Sequence, residues 1–173
     1  MKSVLISIQP KWCEKIVKGE KTIEVRKTAP KETPFKGYIY CTKAKKQNDI
    51  IWADVFRDSG KWNGHIIGEF VCDKVEKLEE HIEEGGRYYT LNSDFNEEAQ
   101  LDNWQLHDYG KGKSLYGWHI SDLKIYDKPK ELSEFKTGCK GCKERDTYHC
   151  KFYCYGERPI TSPPQSYMFV KEL

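Results

Sequence analysis

The chain has 173 residues, with 29 Lys+Arg against 27 Asp+Glu and a formal net charge of +2. A hydrophobic content of 38% supports one domain with a sizeable core, while 32% charged residues and no long apolar run exclude a helical membrane span. The N-terminus runs almost directly into a strand, so no signal peptide is expected, and seven cysteines, an odd number, fit a reducing compartment, so a cytoplasmic location is expected.

The charge is unevenly spread. Residues 1–46 hold 12 Lys+Arg against 4 Asp+Glu, residues 47–109 hold 5 against 15, and residues 110–173 hold 12 against 8. A basic first third suits an anionic partner; the plainer alternative for any single lysine is a solvated, mixed-sign surface.

Residues 2–8 read as a strand that leads into a short helix. Pro10 suits the first helical position, where its missing N–H would be unsatisfied anyway, and Gly19 suits the residue past the end, where φ is often positive. Cys13, Ile16 and Val17 share one helical face. Gln9 is a poor cap, so its place before Pro10 points to another task.

After Gly19 the period changes to two. Ile23 and Val25 take one side of a strand, and Thr22, Glu24 and Arg26 the other. Lys21 is out of phase, at the strand's start, where a turn or bulge re-aims it. The sum is a lysine, a carboxylate and a guanidinium clustered beside a helix end. The alternative is a surface ion-pair ladder.

Residues 37–41 form a strand with Tyr38 and Tyr40 on one face, followed by Lys43, Lys45 and Lys46. Residues 47–64 are long for a connection; Trp62 reads as a loop anchor on the core, and Trp52 stays open between anchor and ligand platform. Residues 66–75 alternate as a strand, with Gly68 marking a bulge or bend. Residues 79–84 are acidic and solvated, and 88–91 form a short strand. A helix is expected from Asp94, with Glu97 completing a capping box, and with Phe95, Ala99, Leu101 and Trp104 on its apolar face. Residues 115–126 read as the last main strand, ended by Asp127-Lys128-Pro129, with His119 a structural histidine by default and a ligand-cleft role as its alternative. Residues 166–170 fit a closing strand. Cys13, Cys41 and Cys72 are expected to be small core residues.

The tail carries Cys139-x-x-Cys142 and Cys150-x-x-x-Cys154 in a polar stretch. Four thiolates at this spacing suit structural zinc, and His149 is a spare ligand. Free thiols, or disulfides in a secreted chain, are the alternatives. No nucleophile elbow, phosphate loop or His-x-x-x-His pair appears.

Ser7-Ile8-Gln9-Pro10 with Trp12, then Gly19-x-Lys21-x-x-Glu24-x-Arg26, resembles the signature of the ASCH domains, relatives of the PUA-like RNA-binding barrels. The resemblance takes in Gly37 to Cys41, Ile67-Gly68-Glu69-Phe70-Val71 and Tyr116-Gly117-Trp118-His119-Ile120. It implies an α+β fold: a PUA-like β-barrel flanked by short helices over residues 1–128. Residues 129–173 form an irregular cysteine-rich appendage packed on the same domain, and its Pro163-Pro164-Gln165-Ser166-Tyr167 resembles an elaboration of bacterial and phage members.

The resemblance further implies a cleft beside the first helix, floored by Lys21, Glu24 and Arg26. Lys21 and Arg26 would hold phosphate, and Glu24 would accept from a base N–H or fix Arg26. Trp12 or a tyrosine would stack a base, with Gln9 and Lys43 also at the ligand. The expected function is a nucleic-acid-binding module, for RNA in preference to DNA. The alternatives are a hydrolase of the amidohydrolase type acting on a modified nucleoside, and a metal-dependent ribonuclease. In the hydrolase, Lys21 and Glu24 would be catalytic. Glu24 stands where those relatives carry threonine, so it would act as general base, joined by Glu83, Glu97 or Glu98. Substitutions at Lys21 and Arg26 are expected to leave the fold nearly untouched, because exposed charges contribute little to stability; in the competing structural reading Glu24 fixes Arg26 in a partly buried pair, and Glu24→Gln lowers melting temperature and binding together.

Overall fold

The computed structural model describes residues 1–43, 45, 62–83, 86–137 and 158–172. In chain order these form β1 (Lys2–Ile8), α1 (Pro10–Val17), β2 (Ile23–Arg26), β3 (Phe35–Cys41), β4 (Ile66–Cys72), β5 (Val75–Lys77), β6 (Glu79–Glu83) and β7 (Gly86–Thr90). There follow α2 (Phe95–Ala99), α3 (Asn103–Gly110), β8 (Tyr116–His119), β9 (Ser121–Lys130), a 3-10 turn at Leu132–Glu134, β10 (Phe135–Thr137) and β11 (Tyr167–Glu172).

Six strands form the main sheet in the order β10-β11-β1-β3-β4-β9; β2-β8-β5 form a second sheet, and β6 and β7 a hairpin. This is the expected sheet-dominated α+β fold with a few short helices. Among the described residues the sheets do not hydrogen-bond into one continuous ring.

The apolar run of β1 follows from its position. It lies between β3, parallel, and β11, antiparallel, and both of its faces are covered. Val4, Ile6 and Ile8 join Phe35, Ile39 and Cys41 of β3 in a core with Cys13 and Ile16 of α1 and Trp118 of β8. Leu5, Tyr38 and Tyr40 point the other way, onto Phe135, Ile160 and Val170. A third cluster joins Ile23 and Val25 of β2 to Phe95, Ala99 and Leu106 of the helices. Trp62 is 3% exposed in the first core, as an anchor should be, and Cys13, Cys41 and Cys72 are buried. Trp52 lies outside the described residues.

α1 begins at Pro10, and Gly19 has φ +74°, as the sequence requires. Gly68 sits at a register shift between β4 and β9, where an added Cβ would meet the Lys124 carbonyl oxygen at 2.5 Å.

Four expectations are corrected. The acidic stretch from Glu79 is not merely solvated: it forms β6, paired with β7. The helix after Asp94 is two helices, because Gln100 takes a left-handed φ of 53° and ends the first. The capping box is built by Asp102 and Gln105, whereas Asp94 caps nothing with its side chain. The strand over 115–126 is two strands in different sheets, and β9 continues through Pro129 to Lys130. The break falls at Ile120, whose N–H donates to the Thr22 carbonyl. Proline is tolerated because β9 is the last strand of its sheet and needs no donor on its outer side.

Candidate functional site

β2 lies on β8, with Glu24 opposite Trp118 and Arg26 opposite Tyr116. Ile23 and Val25 face the helical core, so the alternation turns Glu24 and Arg26 toward α1. α2 is fastened across the start of β2: the Thr22 N–H donates to the Glu98 carbonyl at 2.9 Å, and Lys15 Nζ donates to Gln100 Oε1 at 2.6 Å. Lys21 enters this junction from one side and Glu24 from the other.

The three charges are buried, with Lys21 2%, Glu24 6% and Arg26 7% exposed. Lys21 Nζ donates to the Ile23 carbonyl at 2.8 Å and the Ala99 carbonyl at 2.6 Å, and lies 3.4 Å from Glu24 Oε2. An ammonium has three N–H donors, and here each has an acceptor. Arg26 reaches Glu24 Oε1 at 3.0 Å and donates to the Ser7 carbonyl at 2.5 Å. The expectation that Lys21 and Arg26 can be replaced without cost to the fold is therefore overturned. Removing one partner of a buried pair costs about 3–5 kcal/mol, because the other charge is left without compensation. Burial pushes the Lys21 ammonium below its ordinary 10.5, against the opposing pull of Glu24.

Above this triad opens a cleft of about 870 Å³. Gln9, Trp12, Lys21, Glu24, Arg26 and Lys43, the six side chains expected at the ligand, all line it. One wall carries Lys11 and Trp12 of α1 with Thr42, Lys43 and Lys45 after β3; Lys11, Lys43 and Lys45 are exposed. Lys11 Nζ lies 4.3 Å from the Trp12 ring centroid. A second wall is formed by Leu101 with Gln105, Asp108 and Tyr109 of α3. Burial pushes the Tyr109 hydroxyl up, against the Arg26 guanidinium. Residues 163–165 close the end, held where Ser7 Oγ donates to the Pro164 carbonyl at 2.6 Å.

The α3 wall and the 163–165 segment are absent from the sequence reading. The capping pattern at Asp102 and Gln105 was the available signal for α3; nothing local signals that it faces β2. Of the acids proposed to join Glu24, neither Glu97 nor Glu98 lines the cleft, and the side chain of Glu83 lies outside the described residues. Among the described lining residues the other carboxylate is Asp108. His119 is a structural histidine, with Nε2 2.7 Å from Glu76. Cys139, Cys142, Cys150 and Cys154 lie outside the described residues, among which no three His, Cys, Asp or Glu side chains are grouped to hold a metal ion. No helix among the described residues is long and apolar enough to cross a membrane.

A sheet-dominated α+β domain with a charged cleft beside its first helix is what the resemblance to the PUA-like class implied. The chain belongs to the ASCH domain family, whose model matches residues 6–129. It is similar to the crystal structure of ASCH from Zymomonas mobilis, at TM-score 0.59 and 22% identity over 98% of this chain and 88% of that one. A point mutant of the same Zymomonas mobilis protein gives TM-score 0.58 and 20% identity over 99% of this chain and 91% of that one. These likenesses concern the fold. No match to a curated protein is found.

Proposed function

We propose that this ASCH domain is a nucleic-acid-binding module, for RNA in preference to DNA, that takes one base into the cleft. The observation that carries the reading is Glu24, a buried carboxylate at the cleft floor with a cation on each oxygen. Its remaining lone pairs suit the N–H donors of a base edge. Trp12 offers a ring to stack on, and Lys11, Lys43 and Lys45 supply charge for phosphate on one wall. Lys21 is a positioning residue: its donors are spent inside the protein, so it holds Glu24 and leaves phosphate to the exposed lysines.

The hydrolase and ribonuclease readings ask Glu24 to take a proton. Protonation there would strand two buried cations, so the geometry favours an acceptor over a general base. Two assays test the choice. Fluorescence anisotropy with RNA and DNA of the same sequence should show saturable binding that favours RNA and weakens with salt. Incubation with acylated nucleosides and with RNA should give no product; turnover by the wild-type protein would install the enzyme reading instead.

A further inference from the structure

Trp104 was expected on the apolar side of a helix, yet it is 81% exposed. The reason is rotational. α3 turns Leu106 and Gly110 to the core, and at about 100° per residue Trp104 projects roughly opposite to them. Asp108, which lines the cleft, comes one turn later and about 40° round from Trp104. Trp104 is not itself a lining residue: it projects just outside the arc of Asp108, Gln105 and Tyr109, beside the cleft. An indole this exposed is unusual, since tryptophan is among the more buried residue types.

We propose that Trp104 is a stacking platform for the base next to the one held in the cleft, so that the ligand is a single-stranded stretch of at least a dinucleotide. The inference rests on the nucleic-acid reading and extends it. A flat, exposed aromatic ring continuous with a cation-lined cleft fits a base, because every base offers a π-face whatever its sequence. The charge pattern agrees with the placement. The lysines of the lining come from other segments, and the one charge that α3 adds to it is Asp108, which disfavours phosphate there and leaves base stacking as the contact.

The test compares wild type, Trp104→Ala and Trp104→Phe, each first shown to melt alike, against a single-stranded oligouridine and uridine monophosphate. Oligouridine affinity should fall about five- to a hundredfold in Trp104→Ala, the range of one lost stacking contact, and recover largely in Trp104→Phe. Affinity for the mononucleotide and the salt dependence of oligouridine binding should not change, because no charge is removed. Unchanged oligouridine affinity in Trp104→Ala overturns the platform while leaving the cleft reading intact. Binding of neither probe by the wild type overturns both. A wild type that self-associates through Trp104, with oligouridine affinity independent of it, makes the rim a contact between copies and also overturns the proposal.

Discussion

The Glu24 carboxylate lies 3.0 Å from the Arg26 guanidinium with both side chains almost wholly buried, and Lys21 closes on its other oxygen at 3.4 Å. In the proposed nucleic-acid reading Glu24 serves both stability and ligand recognition, so a substitution there moves both. Glu24→Gln should lower stability by about 3–5 kcal/mol and weaken binding together, because two buried cations lose their counter-charge. Urea denaturation measures the first and anisotropy the second. Loss of binding without loss of stability would mean that the pairing contributes little.

Lys21→Ala should destabilise as strongly while changing the salt dependence of binding little. Its ammonium holds the Ala99 carbonyl and so fastens α2 to β2, with no donor left for a phosphate. A reduced salt slope with unchanged melting temperature would return Lys21 to the phosphate.

Lys43→Ala should do the reverse. The side chain is exposed, so stability should hold within about 0.5 kcal/mol. RNA affinity should fall, and the slope of log affinity against log salt should shrink by about one phosphate contact. An unchanged slope would remove Lys43 from the ligand.

How much of this was legible follows from the range of each interaction. Pro10, Gly19 and the change from helical to alternating periodicity are local, so β1, α1 and β2 could be read, and with them the triad. Its burial could not. The Ala99 carbonyl that satisfies Lys21 is 78 residues away, brought there by the left-handed turn at Gln100. The break between β8 and β9 at Ile120 was hidden for the same reason: its N–H partner is Thr22, far away in sequence, just before β2. Trp104 was misplaced because an unforeseen helix start at Asn103 resets the rotational phase.

Outside the cleft, Glu69 gives a prediction on pH. Burial pushes its carboxyl up, but hydrogen bonds from Tyr126 at 2.7 Å and Lys36 at 3.1 Å outweigh this and hold it below the ordinary 4.5. As pH falls, the unfolded chain takes the proton first. The contribution is thus present above 4.5 and lost as pH drops through the folded value. The stability gap between wild type and Glu69→Gln should narrow in acid. A gap constant from neutral pH into acid would contradict the assignment.

We propose that Cys139, Cys142, Cys150 and Cys154 hold a structural zinc ion, on the strength of their spacing in a polar stretch. Elemental analysis of protein purified without chelator should find about one zinc per chain. Chelation should lower the melting temperature; protein without metal that melts alike before and after chelation would refute it.

The most direct measurement of the central claim is a 1H–15N NMR titration with single-stranded RNA. If a base enters the cleft, saturable shifts should concentrate at Gln9, Trp12, Glu24, Arg26, Lys43, Gln105 and Tyr109, which come from four separate segments and meet only there. Saturable shifts confined to another surface, or none at all, would contradict the assignment of the cleft to nucleic acid.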